Sequence, residues 1–352
     1  MWLFKSSIGR KFVMAITGIC LVLFVTFHVL MNSVALIWPA AYNSVCEFLG
    51  ANWYALIASM GLAVLFIIHI IYAVWLTLQN RAARGTDRYA VTSRPPQVEW
   101  SSKNMLVLGI VIVAFLIVHL IQFWAKMQWV ELIHGDLTVM PTVNGAIAGP
   151  AQGTLMLQLA FSEIWTPIVY IIGFIALWFH MTHGFWSMFH TIGWDNNVWI
   201  ERLKKISCWW TSIVVLLFIA QAVVFTVRAN QNYYIENETL QAQYAEFWGD
   251  EAETLVADFL EPINAKQAEI QAMEDPGKQV EERMNFQNFV QAYVKENGVK
   301  VLDEAKLIQE TYGIVCSKVG PSQAMQQLQQ MMQQVEYMTK QADAVNNNSN
   351  NQ

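Results

Sequence analysis

Seven histidines are the residues of this sequence with the most chemistry to offer: His28, His69, His119, His134, His180, His183 and His190. Five of them, His28, His69, His119, His180 and His183, lie well inside long apolar stretches with almost no other ionisable group. An unpaired ionisable side chain buried at membrane depth costs several kcal/mol, so such histidines mark function by default. A histidine can also serve helix packing, bonded to a neighbouring hydroxyl or carbonyl. Neutral imidazole suits a metal, and a haem iron ligated on both faces takes one imidazole from each of two facing helices. A proton-coupled transporter would instead show intramembrane Asp or Glu beside its histidines. Here Glu163 lies only at the border of a stretch.

The elements that position these histidines are membrane spans. Of the 352 residues, 55% are hydrophobic and 14% charged, far from the balance of a soluble domain. Five stretches have the ~20 apolar residues that cross a hydrocarbon core of ~30 Å: Phe12 to Ile37, Trp53 to Leu78, Met105 to Trp124, Ile164 to Met188 and Ile206 to Val227. The first lacks a small-residue cleavage site and is expected to be a retained span. At ~1.5 Å per helical residue, His28 stands ~26 Å from Lys11 and His119 ~24 Å from Lys103. On the same scale His69 stands ~18 Å from Arg81 and His180 ~20 Å from Gly193. Counting from the opposite edge, at Pro39, Gln128, Trp53 and Pro167, gives the same order. The histidines therefore match in two depth pairs, His28 with His119 and His69 with His180, as two stacked haems require. His134, beside Gly135 and Asp136, is expected in a surface loop, with a quinone-adjacent role as the alternative, and His190 at the interface.

Charge sets the expected orientation. Lys5, Arg10 and Lys11 precede the first span, Arg81, Arg84, Arg88, Arg94 and Lys103 fill the second connector, and Arg202, Lys204 and Lys205 the fourth. Lys and Arg collect on the cytoplasmic side, which puts the N-terminus inside and, after five crossings, the C-terminus outside, with Arg228 the exception. Residues 1–228 hold 13 Lys and Arg against 8 Asp and Glu, whereas 229–352 hold 8 against 19. The second part is rich in Glu, Gln and Ala. Leu240, Tyr244 and Phe247 recur at helical spacing there, which predicts amphipathic helices. Pro262, Pro276–Gly277 and Gly320–Pro321 are expected to divide it into about four pieces. The expected layout is a five-span domain over 1–228, an acidic helical extension over 229–345 and a disordered tail over 346–352. Cys20, Cys46, Cys208 and Cys316 fit no CxxC spacing, so neither an iron-sulfur cluster nor structural zinc is expected. On this topology Cys46 and Cys316 share one compartment, where free thiols are expected over a disulfide.

Four motifs carry a resemblance: SSIGRKFVMAITGICLVLFVTFHVLMN, FIIHIIYAVW, IVHLIQFW and, most specific, FHMTHGFWSMFHTIGW with its FHxxHG core. Together they resemble the single-subunit, five-helix diheme cytochrome b of succinate dehydrogenases and fumarate reductases. The resemblance covers residues 1 to about 228 and omits the acidic extension. It implies an all-α, five-helix transmembrane bundle enclosing two stacked b haems, with His28 and His119 on the distal haem and His69 and His180 on the proximal one. His183 shares a helix face with His180, but the first His of FHxxHG bears the family's ligand. His183, Ser187 and Arg10 are expected to contact the haem or its propionates. Asn32 and Glu47 are the candidates for contact with a quinone, with menaquinone the expected substrate, and Glu47 as a plain solvated loop charge is the favoured alternative. The implied partners are a flavoprotein and an iron-sulfur subunit on the cytoplasmic face of a bacterial inner membrane, with lipid around the spans, a dimer of complexes as an option, and no nucleic acid. Such a subunit passes electrons between the iron-sulfur subunit and quinone and binds no dicarboxylate. The alternatives are the diheme cytochrome b of a hydrogenase or formate dehydrogenase, and a haem-free proton-coupled membrane protein.

Overall fold

The computed structural model describes residues 6–84, 100–132, 137, 140–194 and 196–349. Lys5, Arg88, Arg94, His134, Gly135 and Asp136, named above, lie outside the described residues. The chain divides into two compact units, Met1–Ile133 with Pro150–Asn232 and His134–Gly149 with Tyr233–Gln352.

In the first unit, five helices are long and apolar enough to cross a membrane. A lipid-exposed backbone must satisfy its own N–H and C=O groups, and a continuous helix does so. They are α1 (Ser7–Ile37), α3 (Trp53–Arg84), α4 (Trp100–His119) with its continuation, α7 (Trp165–Thr191) and α8 (Trp199–Asn230). Ser6 starts α1 by accepting the Gly9 N–H at 2.9 Å. Four spans begin on a tryptophan, and Trp53, Trp100, Trp165 and Trp199 are all exposed, as in the aromatic belts of a bilayer interface. Along α3 the residues Ile57, Val64, Ile67, Ile71, Val74 and Leu78 are exposed. The apolar stripe thus faces outward, the reverse of a helix in a water-soluble protein. This is a multi-pass membrane protein. The helices overrun their apolar stretches, by seven residues at Trp199, because the hydrogen-bond ladder continues past the lipid edge.

One feature of the third span was not expected. Immediately after His119 the α-helix widens into a π-helix, Leu120–Trp129, closing in the short α5 (Val130–Leu132). Two further helices lie outside the spans. The first, α2 (Pro39–Ala51), has Pro39 at its first turn, where the missing N–H costs nothing. The second, α6 (Gly153–Phe161), is almost wholly buried, and Asn43 accepts both the N–H (2.9 Å) and the hydroxyl (2.8 Å) of Thr154 at its start. Within the bundle α1 packs on α3, α7 and α8, and α7 packs on α4 and α8. The pairs α3–α7 and α1–α4 do not pack closely backbone to backbone. Arg228, the exception to the charge pattern, donates to the carbonyls of Ala35 (2.7 Å) and Leu36 (2.9 Å) and so caps the C-terminus of α1.

The second unit is built from α9 (Tyr233–Glu236) and three long helices, α10 (Glu238–Gln271), α11 (Pro276–Val315) and α12 (Gln323–Ser349). Leu240 and Tyr244 are buried as their spacing predicts, whereas Phe247 is half-buried and its neighbour Trp248 is the fully buried ring. Pro262 does not end a helix. Phe259, buried and 5.4 Å from the Tyr293 ring on α11, and buried Ile270 hold α10 continuous on both sides of it, so three long helices replace the four expected pieces. Asp275 caps α11 through Gly277 N–H (2.9 Å), with Pro276 in the first turn. The helix α12 runs to Ser349, so residues 346–349 are helical where composition suggested disorder; the ladder continues past the packed stripe of Met325, Leu328, Met331 and Val335. The unit also takes up part of the third connector. Strands β1 (Thr142–Val143) and β2 (Ala146–Ile147) form a hairpin turned by Asn144 and Gly145, both at positive φ, and Ile147 N–H donates to Thr311 on α11 (3.0 Å).

Candidate metal centres between the spans

The structure brings the depth-matched histidines together. The rings of His28 on α1 and His119 at the end of α4 lie 5.8 Å apart, centre to centre, and those of His69 on α3 and His180 on α7 lie 6.4 Å apart. Two imidazoles whose nitrogens each sit ~2 Å from one metal ion have ring centres roughly 6 Å apart. Each pair spans helices that do not otherwise pack closely, and so bridges a gap with side chains alone. Beside the proximal pair two helix positions carry no side chain, Gly18 and Gly109. A Cβ at Gly18 on α1 would lie 3.9 Å from Cε1 of His69, and one at Gly109 on α4 the same distance from Cε1 of His180. Room next to an imidazole is what a macrocycle needs, so at the proximal level the facing imidazoles and the two glycines fit a haem, while at the distal level the fit rests on the facing imidazoles alone.

Hydrogen bonds bear on which ring nitrogen is offered. Thr17 on α1 directs its hydroxyl proton at the carbonyls of Val13 (3.0 Å) and Met14 (3.1 Å). Towards His69 Nδ1, 3.0 Å away, it can then only accept. In that arrangement His69 carries its proton on Nδ1 and presents Nε2 to a metal. The same logic holds at His119. Tyr170 on α7 donates to Gln122 Oε1 (3.0 Å), so the phenol oxygen accepts from His119 Nδ1 (3.2 Å). Gln122 Nε2 in turn donates to Thr166 Oγ1 (3.0 Å), and Tyr170, Gln122 and Thr166 are all buried. By contrast, Nδ1 of His180 is buried without a partner. His28 meets Asn32 through Nε2 at 3.2 Å, and Asn32 accepts from the hydroxyl of Tyr42 at 2.9 Å. Ligation by His28 Nε2 thus requires the Asn32 amide to turn aside.

The remaining expected site residues fall as follows. His183 rests edge-on against Trp186 at 5.0 Å, whereas His180 is the ring that faces His69. His190 is exposed at the last turn of α7. The Arg10 guanidinium lies 4.8 Å over the ring of Trp75, at the end of the α1–α3 pair beyond His69. Ser187 is half-buried two turns after His180. Glu47 is exposed on α2, five residues and so ~140° around the helix from Tyr42. The structure joins Asn32 to His28 and Tyr42, and leaves Glu47 on another face. Cys46 is in close contact with Gly153, and burial pushes its thiol up to about 12; burial does the same to Cys316. All four cysteines are free.

Sequence reasoning missed Thr17, Tyr42, Gln122, Thr166 and Tyr170. The signal was present. For Thr17, Gln122, Thr166 and Tyr170 it is that polar side chains inside an apolar span turn toward the bundle interior for the reason histidines do; Tyr42 lies outside the spans, on α2. Among the described residues there is no group of three or more His, Cys, Asp or Glu that could hold an ion, a pattern distinct from two facing imidazoles. No family model matches the chain, and neither a curated protein nor a solved structure matches it.

Proposed function

We propose that this chain is the haem-carrying membrane subunit of a succinate:quinone or fumarate:quinol oxidoreductase, of the single-subunit diheme cytochrome b type. The observation that carries the reading is the pair of imidazole pairs, at 6.4 Å and 5.8 Å, on two levels of one bundle. Three turns of helix, Thr17 to His28 on α1, separate the levels by ~16 Å. Haem b bound at each level supplies reversible one-electron exchange, so that electrons cross the bilayer in short hops.

The chain's own residues do the rest. His69 and His180 hold the proximal group, and His28 and His119 the distal one. The lipid-facing apolar stripes keep water and ions away from both. Lys11, Arg81, Lys103, Arg202, Lys204 and Lys205 mark the cytoplasmic edge, where an iron-sulfur subunit and its flavoprotein dock. Asn32 stands at the distal level, where a quinone is reduced or a quinol oxidised, and its amide offers a hydrogen bond to a quinone oxygen. On this topology the acidic unit lies outside. The reading is tested by a redox-resolved optical spectrum of the purified complex, with and without succinate. Two b-type components reduced by succinate, with covalent flavin in the complex, are expected. A complex with two b components but no flavin and no response to succinate would point to a hydrogenase or formate dehydrogenase subunit. A spectrum without reduced b bands would overturn the haem reading altogether.

A further inference from the structure

We propose that Thr17 and Tyr170 are positioning residues that fix the tautomers of His69 and His119, and that each thereby sets the reduction potential of one haem independently of the other. The inference rests on the haem reading above. The two hydroxyls occupy matched places. α1 gives Thr17 to the proximal pair and His28 to the distal pair; α7 gives Tyr170 to the distal pair and His180 to the proximal pair. Eleven residues separate Thr17 from His28 and ten separate Tyr170 from His180, three turns in each case. The anchored histidines sit on α3 and α4, which barely approach each other, so each depends on a neighbouring helix for its ring orientation.

An oxygen that accepts from Nδ1–H pins the ring and makes the imidazole a stronger donor through Nε2, which favours the oxidised metal. Losing that acceptor raises the potential. At the distal level the acceptor is itself strengthened, because the Tyr170 hydroxyl donates onward to Gln122 and Gln122 to Thr166. Thr17 is only 3% exposed and Tyr170 4%, so water does not replace either oxygen readily.

The experiment is a redox titration of the whole complex carrying Thr17→Val, Thr17→Ser or Tyr170→Phe, read as haem content and as the midpoint of each b component. Thr17→Val is expected to raise the midpoint of the proximal component alone, Thr17→Ser to restore it, and Tyr170→Phe to raise that of the distal component alone. Should Thr17→Val lose a haem, recovery of haem and midpoint in Thr17→Ser still supports the proposal, whereas continued loss in Thr17→Ser overturns it. Unmoved midpoints with both haems present, or both midpoints moving together in each variant, overturn it and leave the haem reading standing. A wild-type complex without b haems overturns both.

Discussion

At the proximal level one hydroxyl, Thr17, holds one imidazole, and the opposite imidazole, His180, has an Nδ1 without a partner. At the distal level Tyr170, Gln122 and Thr166 form a buried chain behind His119, and Asn32, joined to Tyr42, meets the Nε2 side of His28. The distal rings also sit among aromatic side chains: Phe115 and Phe123 lie 6.0 Å and 5.4 Å from His119, and Phe24 is stacked 5.4 Å from His28. The same helices thus make two pairs of nearly the same span with different surroundings. The proximal pair is held mainly by helix placement, the distal pair by a side-chain network. On the proposed function, the network would serve the level that meets a polar substrate and protons, and the more sparsely bonded pair the level through which only electrons pass.

The sharpest break of this comparison is to remove one ligand at each level. His180→Ala is expected to abolish the proximal haem and keep the distal one, and His119→Ala to do the reverse, read as haem per complex and as the surviving component in a redox titration. Loss of both haems in either variant would show that the levels are not separable. The next largest effect is confined to the distal side. A Cβ at Gly173 on α7 would collide with the ring of Phe115 on α4, which packs edge-on against Tyr170 at 5.0 Å. Overpacking of this kind costs about 1–3 kcal/mol. Gly173→Ala should therefore lower the unfolding temperature of the complex and perturb the distal component's spectrum while sparing the proximal one. An unchanged distal spectrum would mean that Phe115 moves aside without consequence.

The pairing of the histidines was legible in the sequence because straight helices convert residue number into depth at a constant rate. What surrounds them was not. Which hydroxyl meets which imidazole depends on helix rotation and on which helices are neighbours, and no periodicity in Phe12 to Ile37 tells that Thr17 reaches His69 and not His180. The π-helix after His119 breaks the constant rise on which depth counting relies, and nothing in LIQFWAKMQW announces it. Two other features were readable and were missed. Asn144–Gly145 between Thr142–Val143 and Ala146–Ile147 is the residue pair that a tight hairpin turn demands. Pro262, conversely, was read by its local preference, and tertiary packing on Phe259 and Ile270 overrode it.

A smaller effect separates the two histidines of FHMTHG. His183 lies one turn from His180 and stacks edge-on with Trp186, so it can touch the edge of a bound group without ligating it. His183→Ala is expected to keep two haems with at most a shifted proximal midpoint and an unmoved distal one. Loss of the proximal haem in His183→Ala, with retention in His180→Ala, would exchange their roles.

The smallest effect is expected at Glu47. A carboxylate near the distal surface is a natural relay for the protons of quinone reduction, and it must then reach the donors that face the substrate. Glu47 shares α2 with Tyr42, whose hydroxyl donates to Asn32, but stands ~140° around the helix from it and is exposed. Five residues of an α-helix cannot place both side chains on one face, so the residue that connects α2 to the distal pair is Tyr42. Glu47→Gln should leave quinol turnover and both haem midpoints as in the wild type, while Asn32→Ala, which removes the amide beside His28, should slow turnover with haem content intact. If Glu47→Gln slowed turnover as much as Asn32→Ala, the proton path would run along the exposed face of α2, and the distal network of Asn32 and Tyr42 would lose its place in the reaction.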